Sequence, residues 1–327
     1  MMKAVRYHDF GGPSVSSVDE IEPLTPREQE VSIDVRGIGI NPSDILRRTG
    51  AFRNELPLIP GKDVAGIVTG TGDDVDRFEP GDRVFGYIPH SNVPGSGTDR
   101  QGTYAENVVA LTDRLAHLPL PVSFESGAAI PAVAVTAWEA LVRYGGLQPS
   151  ETCLIHGGSG GVGHVAVQLA STMGANVVAT AGDREKRQRV SELGADRVLD
   201  YSRPDLADGI LEECSNRPAV ILDHRVGDYL QLDVDVIDQH GTIAIIGGYE
   251  DSPRIDISTA LLKNVTIVPY TVSLTRNIGT ILERIAALLR ENRLSVDVWK
   301  TFQLKEVADA QRTVSNESFV GKVVMVP

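Results

Sequence analysis

The residues whose spacing most clearly implies chemistry are Gly158-Ser159-Gly160-Gly161-Val162-Gly163. They follow a short apolar run from Thr152 to His156 and precede Val165, Ala166, Leu169 and Ala170 at helical spacing. In a strand–turn–helix unit, glycines spaced G-x-G-x-x-G allow a tight turn, backbone approach to a pyrophosphate, and close packing of helix on strand. The helix start adds unpaired N–H groups and the positive end of its dipole. With a second strand at Asn176–Thr180 after Gly174, the motif is read as a dinucleotide site rather than a bare structural turn. An Asp or Glu closing that second strand would select NAD. The chain has Ala181-Gly182 there, so no carboxylate shuts out a 2′-phosphate, and NADPH is the expected cofactor. Asp183 argues the other way unless it caps the following helix.

Composition narrows the classes. The 327 residues are long enough for two domains, and 42% hydrophobic with 23% charged content is ordinary for a globular protein. A net charge of −13 argues against an extended phosphate-backbone footprint, so no nucleic-acid partner is expected. Of 31 basic residues 24 are Arg, which fits either a salt-adapted or a GC-rich host. No apolar run reaches the roughly 20 residues that span a bilayer. The start Met1-Met-Lys-Ala-Val-Arg-Tyr7 lacks a signal-peptide pattern, and a reducing cytoplasm is the expected compartment. Two cysteines, Cys153 and Cys214, cannot supply a four-thiolate metal site.

The elements that position these residues fall into three stretches. The first is β-rich: Lys3–Tyr7, Val31–Gly39, Val64–Gly70, Arg83–Tyr87, Thr103–Ala110 and Leu115–Leu118 read as strands between Gly, Pro and Asp clusters. Pro89 to Gly97 reads as a polar loop. From Phe124 the period becomes helical, with a helix predicted over Ala132–Tyr144 up to Gly145-Gly146. Strands at Cys153–His156, Asn176–Thr180, Arg197–Leu199, Ala219–Leu222, Thr242–Ile246 and Val265–Val268 then alternate with helices at Gly163–Ser171, Glu185–Leu193, Leu206–Glu213 and Tyr229–Asp238. That alternation predicts an α/β, doubly wound parallel sheet, with ligands at the strand carboxyl ends near Gly157–Gly163, Ala181–Asp183 and Gly247–Tyr249. A helix at Ile278–Arg290, a strand at Trp299–Leu304, a helix at Lys305–Ser315 and a strand at Lys322–Pro327 follow. They either extend that sheet or return to the first domain.

Across almost its whole length the chain resembles the zinc-independent branch of the medium-chain dehydrogenase/reductases, specifically zeta-crystallin-type quinone oxidoreductases. The resemblance rests on Phe10-Gly-Gly-Pro13, Gly39-Ile-Asn-Pro-Ser-Asp44, Pro60-Gly-Lys-Asp-Val-Ala-Gly66, Pro80-Gly-Asp-Arg-Val84, Gly102-Thr-Tyr-Ala-Glu106, Val135-Thr-Ala-Trp138, the glycine loop and Gly321-Lys-Val-Val324. It implies a GroES-like β domain, residues 1–123 and 266–327, around a Rossmann domain, residues 124–265. It also implies a homodimer through the exposed edge strand Val265–Val268. Zinc-using relatives carry Cys at Asn41, His at Lys62 and a four-cysteine loop, so the resemblance implies no zinc. His90 and Asp99 are read as surface residues. For the cofactor it implies Lys186 and Tyr201 at the 2′-phosphate, with Arg184 and Arg187 as further candidates, and Asn41, Thr136, Gly182 and Gly247 along the molecule.

Metal-free hydride transfer needs an electron-poor acceptor whose oxygen turns anionic, and a donor at that oxygen contributes a few kcal/mol. The resemblance puts Asn41 and Lys62 at that place as the catalytic candidates. Lys62 acts there by its charge, or else only pairs with Asp44 or Asp63 and holds the loop. Ser43 sits where zinc enzymes keep a proton-relay hydroxyl. Leu46 replaces the Tyr often found two residues beyond Asp44, which puts aromatic contact to a quinone ring in question. Arg47 and Arg48 either meet an anionic substrate tail or face solvent. The first reading is an NADPH-dependent quinone reductase. The second turns the same chemistry on enals, enones or enoyl thioesters. The third, of another class, is a non-catalytic nucleotide- or RNA-binding protein, and the negative charge lowers it.

Overall fold

Strand-forming runs broken by Gly, Pro and Asp do make the first third of the chain a β unit. The structure is a computed structural model that describes residues 1–52, 55–89, 102–248 and 252–327. The loop expected from Pro89 to Gly97, with His90 and Asp99, lies outside the described residues apart from Pro89. Tyr249 lies outside them too.

The chain divides into two compact units, one of Met1–Val135, Ser273–Ser318 and Lys322–Pro327, the other of Thr136–Val272 and Phe319–Gly321. The first contains β1 (Met2–Tyr7), β2 (Ser16–Ile21), β3 (Glu30–Gly39), α1 (Pro42–Arg48), β4 (Asp63–Thr71), β5 (Arg83–Tyr87), β6 (Asn107–Leu111), β7 (Leu115–His117) and α2 (Phe124–Ala128). Helix α3 (Pro131–Trp138) contains the division. The second unit alternates β8 (Thr152–Ile155), α4 (Gly161–Thr172), β9 (Asn176–Ala181), α5 (Arg184–Glu192), β10 (Arg197–Asp200) and α6 (Leu206–Glu213). It continues with β11 (Val220–Asp223), α7 (Val226–Val236), β12 (Thr242–Ile245), α8 (Ile257–Lys263) and β13 (Thr266–Pro269). The chain then returns to the first unit with α9 (Ile278–Arg290), β14 (Val298–Gln303), α10 (Val307–Asn316) and β15 (Lys322–Val326).

In the first unit the sheet order is β14-β15-β3-β4-β5-β7, with β6 also paired to β3. Tyr7, Tyr87, Tyr104, Phe85, Ile33 and Ile38 fill its core. In the second unit all six strands are parallel in the order β10-β9-β8-β11-β12-β13. That is the doubly wound Rossmann order, and the fold class is the α/β one expected. Its switch point between β8 and β11 opens a crevice at the strand carboxyl ends. Leu154, Val178, Ile221 and Ile243 lie at the centre of its core.

Several boundaries differ from the sequence expectation. The helix expected over Ala132–Tyr144 is α-helical only to Trp138 and then becomes a π-helical turn, Glu139–Tyr144, because the Gly145 N–H reaches back to the Ala140 carbonyl. The strand expected from Thr103 starts at Asn107, since the N–H groups of Gly102, Thr103 and Tyr104 turn to the carbonyls of Ile59, Gly61 and Pro60. Strand β2 and helix α8 were not expected. Helix α8 is capped by Asp256, which accepts from Ser258 N, and its Lys263 ammonium donates to the last carbonyls of α7. The second unit runs to Val272 rather than 265 because β13 pairs with β12. The first unit runs to Val135 rather than 123 because α2 packs on β3 and β4.

That packing requires Gly37. A Cβ there would stand 2.6 Å from the Phe124 carbonyl oxygen and 3.0 Å from Ala128 Cβ, whereas one at Gly70 meets nothing within 4 Å. Gly37→Ala is therefore expected to destabilise the protein by about 1–3 kcal/mol, and Gly70→Ala to stay within about 0.5 kcal/mol of wild type. Urea midpoints compare the two, and equal midpoints would contradict the packing of α2 on β3.

Candidate active site

Strand β3 ends at Gly39 and hands the chain to α1, with Asn41 as the residue before the first turn. Pro42 at the first helical position suits the start, and Asp44 Oδ2 accepts the Asn41 N–H at 3.0 Å. Asp44 also accepts from the Tyr104 hydroxyl at 3.1 Å. The Asn41 side chain is 7% exposed and held at both ends. Its Nδ2 donates to Asp63 Oδ2 at 2.8 Å, and its Oδ1 accepts from Lys322 Nζ at 2.6 Å. Lys322 also donates to the Ile40 carbonyl at 2.6 Å, and Asp63 Oδ1 accepts from Ala132 N at 2.8 Å. Burial pushes the Asp63 carboxyl up to about 6, with the Lys322 ammonium opposing that shift.

Lys62 is buried beside this group, and its hydrogen bond goes to Ser43 Oγ at 2.9 Å, not to a carboxylate. The alternative in which Lys62 pairs directly with Asp44 or Asp63 is thus corrected. Burial lowers its pKa, with Asp44 and Asp63 opposing and Arg47 and Lys322 adding to the shift. Arg47 and Arg48 do not face solvent. Arg48 donates to the Gly11 carbonyl and to Gln311, and Arg47 lies over the Phe52 ring. Sequence reasoning missed Lys322 and gave Asp63 the wrong partner. The signal was present in Lys322-Val-Val-Met-Val326, a single cation leading a strand of otherwise buried type.

In the second unit the glycine loop follows β8. Gly158 N donates to the Thr180 carbonyl at 2.7 Å, Gly157 N to Thr180 Oγ1 at 3.0 Å, and Gly160 N to the Gly157 carbonyl at 2.9 Å. The N–H groups of Ser159, Gly161, Val162 and Gly163 have no acceptor among the described residues. They sit where α4 starts, which makes a ready anion cradle. A Cβ at Gly163 would lie 2.1 Å from the Gly157 carbonyl oxygen, so the loop folds this tightly only with glycine there. His156, one residue before the loop, is buried with Nε2 at 2.8 Å from Asp233 Oδ1 and its ring stacked on Tyr229.

At the end of β9, Ala181 is buried and Gly182 lies beside the Tyr201 ring and hydroxyl. Asp183 caps α5 by accepting from Lys186 N at 2.9 Å, and its other oxygen meets Lys186 Nζ at 2.8 Å. That ammonium holds the exposed Asp183 carboxyl below the usual range. Arg187 is committed to Asp200 at 2.6 Å and to the Gly182 carbonyl, while Arg184 is exposed. Gly247 follows β12, and a Cβ there would touch the His224 carbonyl. Thr136 lies on α3, where its carbonyl accepts from the Tyr270 hydroxyl, a partner the sequence did not reveal. Among the described residues no three His, Cys, Asp or Glu side chains gather as a metal site.

Comparison with known proteins agrees with this architecture. Residues 27–120 match the family model described as "Alcohol dehydrogenase GroES-like domain", and residues 161–287 match "Zinc-binding dehydrogenase". The quinone oxidoreductase of Mus musculus is 32% identical over 283 residues, covering 84% of this chain and 81% of that protein. A solved NAD-dependent alcohol dehydrogenase superposes with a TM-score of 0.91 at 28% identity, each chain covered in full. The quinone oxidoreductase of Escherichia coli, solved in complex with NADPH, superposes with a TM-score of 0.88 at 26% identity, covering 99% of this chain and 100% of its own. The chain belongs to the zeta-crystallin-type quinone oxidoreductase family of medium-chain dehydrogenase/reductases.

Proposed function

We propose that the protein is an NADPH-dependent, zinc-independent quinone oxidoreductase. The observation that carries this reading is the end of β9, where Ala181 offers no carboxylate, Tyr201 lies beside Gly182, and Lys186 meets the next residue, Asp183. The four open N–H groups of the glycine loop fit a pyrophosphate, and the mouse and Escherichia coli relatives support both acceptor and cofactor.

When bound, NADPH supplies a hydride. Ser159, Gly161, Val162 and Gly163 hold the pyrophosphate by their N–H groups, with Gly158 and Gly160 shaping the turn. Lys186 and Tyr201 would hold the 2′-phosphate, Gly182 and Gly247 would leave room for the backbone to approach the cofactor, and Thr136 would border the nicotinamide. On the acceptor side, Asn41 has one Nδ2 hydrogen left after Asp63 takes the other, and that hydrogen donates to the oxygen that becomes anionic. The Lys62 ammonium occupies a lone pair of Ser43 Oγ, so the Ser43 hydroxyl hydrogen is free to turn toward the same oxygen. The protein works in the cytoplasm as a soluble enzyme; no described helix is long and apolar enough to cross a membrane.

The reading also includes a homodimer. Strand β13 is the outer strand of its sheet, and the neighbouring helix α8 presents Ile257, Leu261 and Leu262 at 59%, 70% and 81% exposure. An open strand edge beside an apolar helix face is matched by its own symmetry copy.

Turnover of NADPH with a quinone panel and an enal and enone panel tests the activity, with quinones expected to be the better acceptors. Asn41→Ala is expected to lower kcat/KM by about 2–4 kcal/mol. Lys62→Met is expected to slow turnover while leaving NADPH affinity nearly unchanged. Fuller turnover of enals, or none of quinones, contradicts the assignment.

Cofactor choice is checked by fluorescence titration. NADPH is expected to bind more tightly than NADH, and Lys186→Ala to weaken NADPH by about 1–3 kcal/mol with little effect on NADH. Asp183→Asn keeps a capping acceptor but removes the charge that competes for Lys186, so it is expected to tighten NADPH. Equal affinities for the two cofactors would refute the 2′-phosphate site.

Light scattering should give a dimer at micromolar concentration, and Leu261→Glu with Leu262→Glu a folded monomer. A monomeric wild type would refute the interface.

A further inference from the structure

We propose that Asp63 and Lys322 are the positioning pair for Asn41, holding the two ends of its side-chain amide so that one N–H faces the acceptor oxygen in a fixed orientation. The inference rests on the reading of Asn41 as the oxyanion donor.

The geometry is closed on three sides. Lys322 Nζ spends one donor on the Ile40 carbonyl and one on Asn41 Oδ1, and it stands 4.0 Å from Asp63 Oδ2. Asp63 spends one oxygen on Ala132 N and the other on Asn41 Nδ2. The amide therefore bridges a buried ammonium and a buried carboxylate, which are 4% and 0% exposed by side chain. Turning it over would set Nδ2 against the ammonium and Oδ1 against the carboxylate, both repulsive at low dielectric. One amide orientation survives. The ammonium also draws electron density through Oδ1, which makes the Nδ2 hydrogens better donors. The second of these hydrogens has no partner among the described residues.

A merely structural ion pair would not need an amide between its members. Burying two charges is expensive, and a direct contact repays most of that cost. Here the direct contact is stretched to 4.0 Å and the amide takes the hydrogen bonds. The ionisable groups acting on Asp63 are Lys322 from β15 and Asp44 from α1, and Lys62 precedes it in the chain. Burial raises the Asp63 carboxyl to about 6 and lowers the Lys322 ammonium, so Asp63 is charged above about pH 6 and loses its charge below it.

The test uses the whole protein labelled with nitrogen-15 and follows the Asn41 side-chain amide by NMR from pH 5 to 8. Its shift is expected to titrate with a midpoint near 6 in wild type and to be flat in Asp63→Asn. Lys322→Met and Asp63→Asn are expected to lower quinone kcat by about 10- to 100-fold, the usual loss when a partner orienting a functional side chain is removed, with NADPH Kd changed less than about threefold. An acid limb of kcat is expected in wild type with a midpoint near 6 and should vanish in Asp63→Asn. A wild-type Asn41 amide that does not respond to pH, or full kcat in both variants, overturns the proposal. The wild-type titration decides the matter if a variant fails to fold. A wild type that reduces no quinone while its Asn41 amide titrates overturns the functional reading instead.

Discussion

The pairing of β15 with β3 is the constraint on which the acceptor side of the protein depends. Val324 lies opposite Gly39 and Met325 opposite Ile38. That register carries Lys322 alongside Ile40 and Asn41, although 281 residues separate it from Asn41. Without the returning strand, Asn41 would still start α1 through Pro42 and Asp44, but its amide would lose the ammonium at Oδ1. The last five strand residues are therefore part of the site as well as of the sheet. Their apolar run, Val323, Val324 and Met325, is what fixes them there, because all three are buried.

The glycine side depends on a local constraint. Gly157 to Gly163 fold back on themselves through Thr180 and their own carbonyls, which leaves four N–H groups open at the start of α4. Its tie to Thr180, 23 residues from Gly157, was not legible in the sequence. The glycine turn itself was, because its glycines and the start of α4 lie within a few residues of one another. The parallel sheet was legible for the same reason: strand and helix periods alternate in order, and handed crossovers leave few topologies. The pairing of Asn41 with Asp63 and Lys322 was not legible. It joins three elements that no periodicity relates, and only tertiary burial tells Lys322 from a solvated lysine. The π-helical turn after Trp138 was hidden in the same way, since Glu139–Tyr144 reads as ordinary helix until Gly145 closes a longer hydrogen-bonded ring. Helix α8 escaped because its exposed leucines do not follow an amphipathic core pattern.

Asp183 shows how one residue can carry opposite messages. By residue type and place it suggests a ribose carboxylate. In the structure its oxygens cap α5 and meet Lys186, so the charge at this corner is already balanced without ligand. In the proposed cofactor site, a 2′-phosphate bound there would bring about two negative charges and compete with Asp183 for Lys186. On that proposal, selectivity at this corner would be a competition between a carboxylate and a phosphate for one ammonium. The carboxylate is exposed and solvated, which weakens its hold.

Buried charges surround Asn41 and Lys62, the positions to which the family resemblance assigns metal ligands in zinc-using relatives. Lys62, Arg47 and Lys322 are buried cations, and Asp44 and Asp63 buried anions, so the group carries a formal excess of one positive charge. An ammonium has no lone pair to give a metal, and the Asn41 amide turns its oxygen to the Lys322 ammonium. The same set suits an oxygen that gains negative charge, because positive charge is already in place and shielded from water. Its strength is limited by how far the buried ammonium groups stay protonated. Burial pulls Lys62 down and the two carboxylates hold it up, with Asp44 the larger of those effects. Removing either carboxylate would therefore weaken the cations as well as the geometry. In the proposed reaction, the acids around Asn41 would serve by favouring the charged form of the lysines.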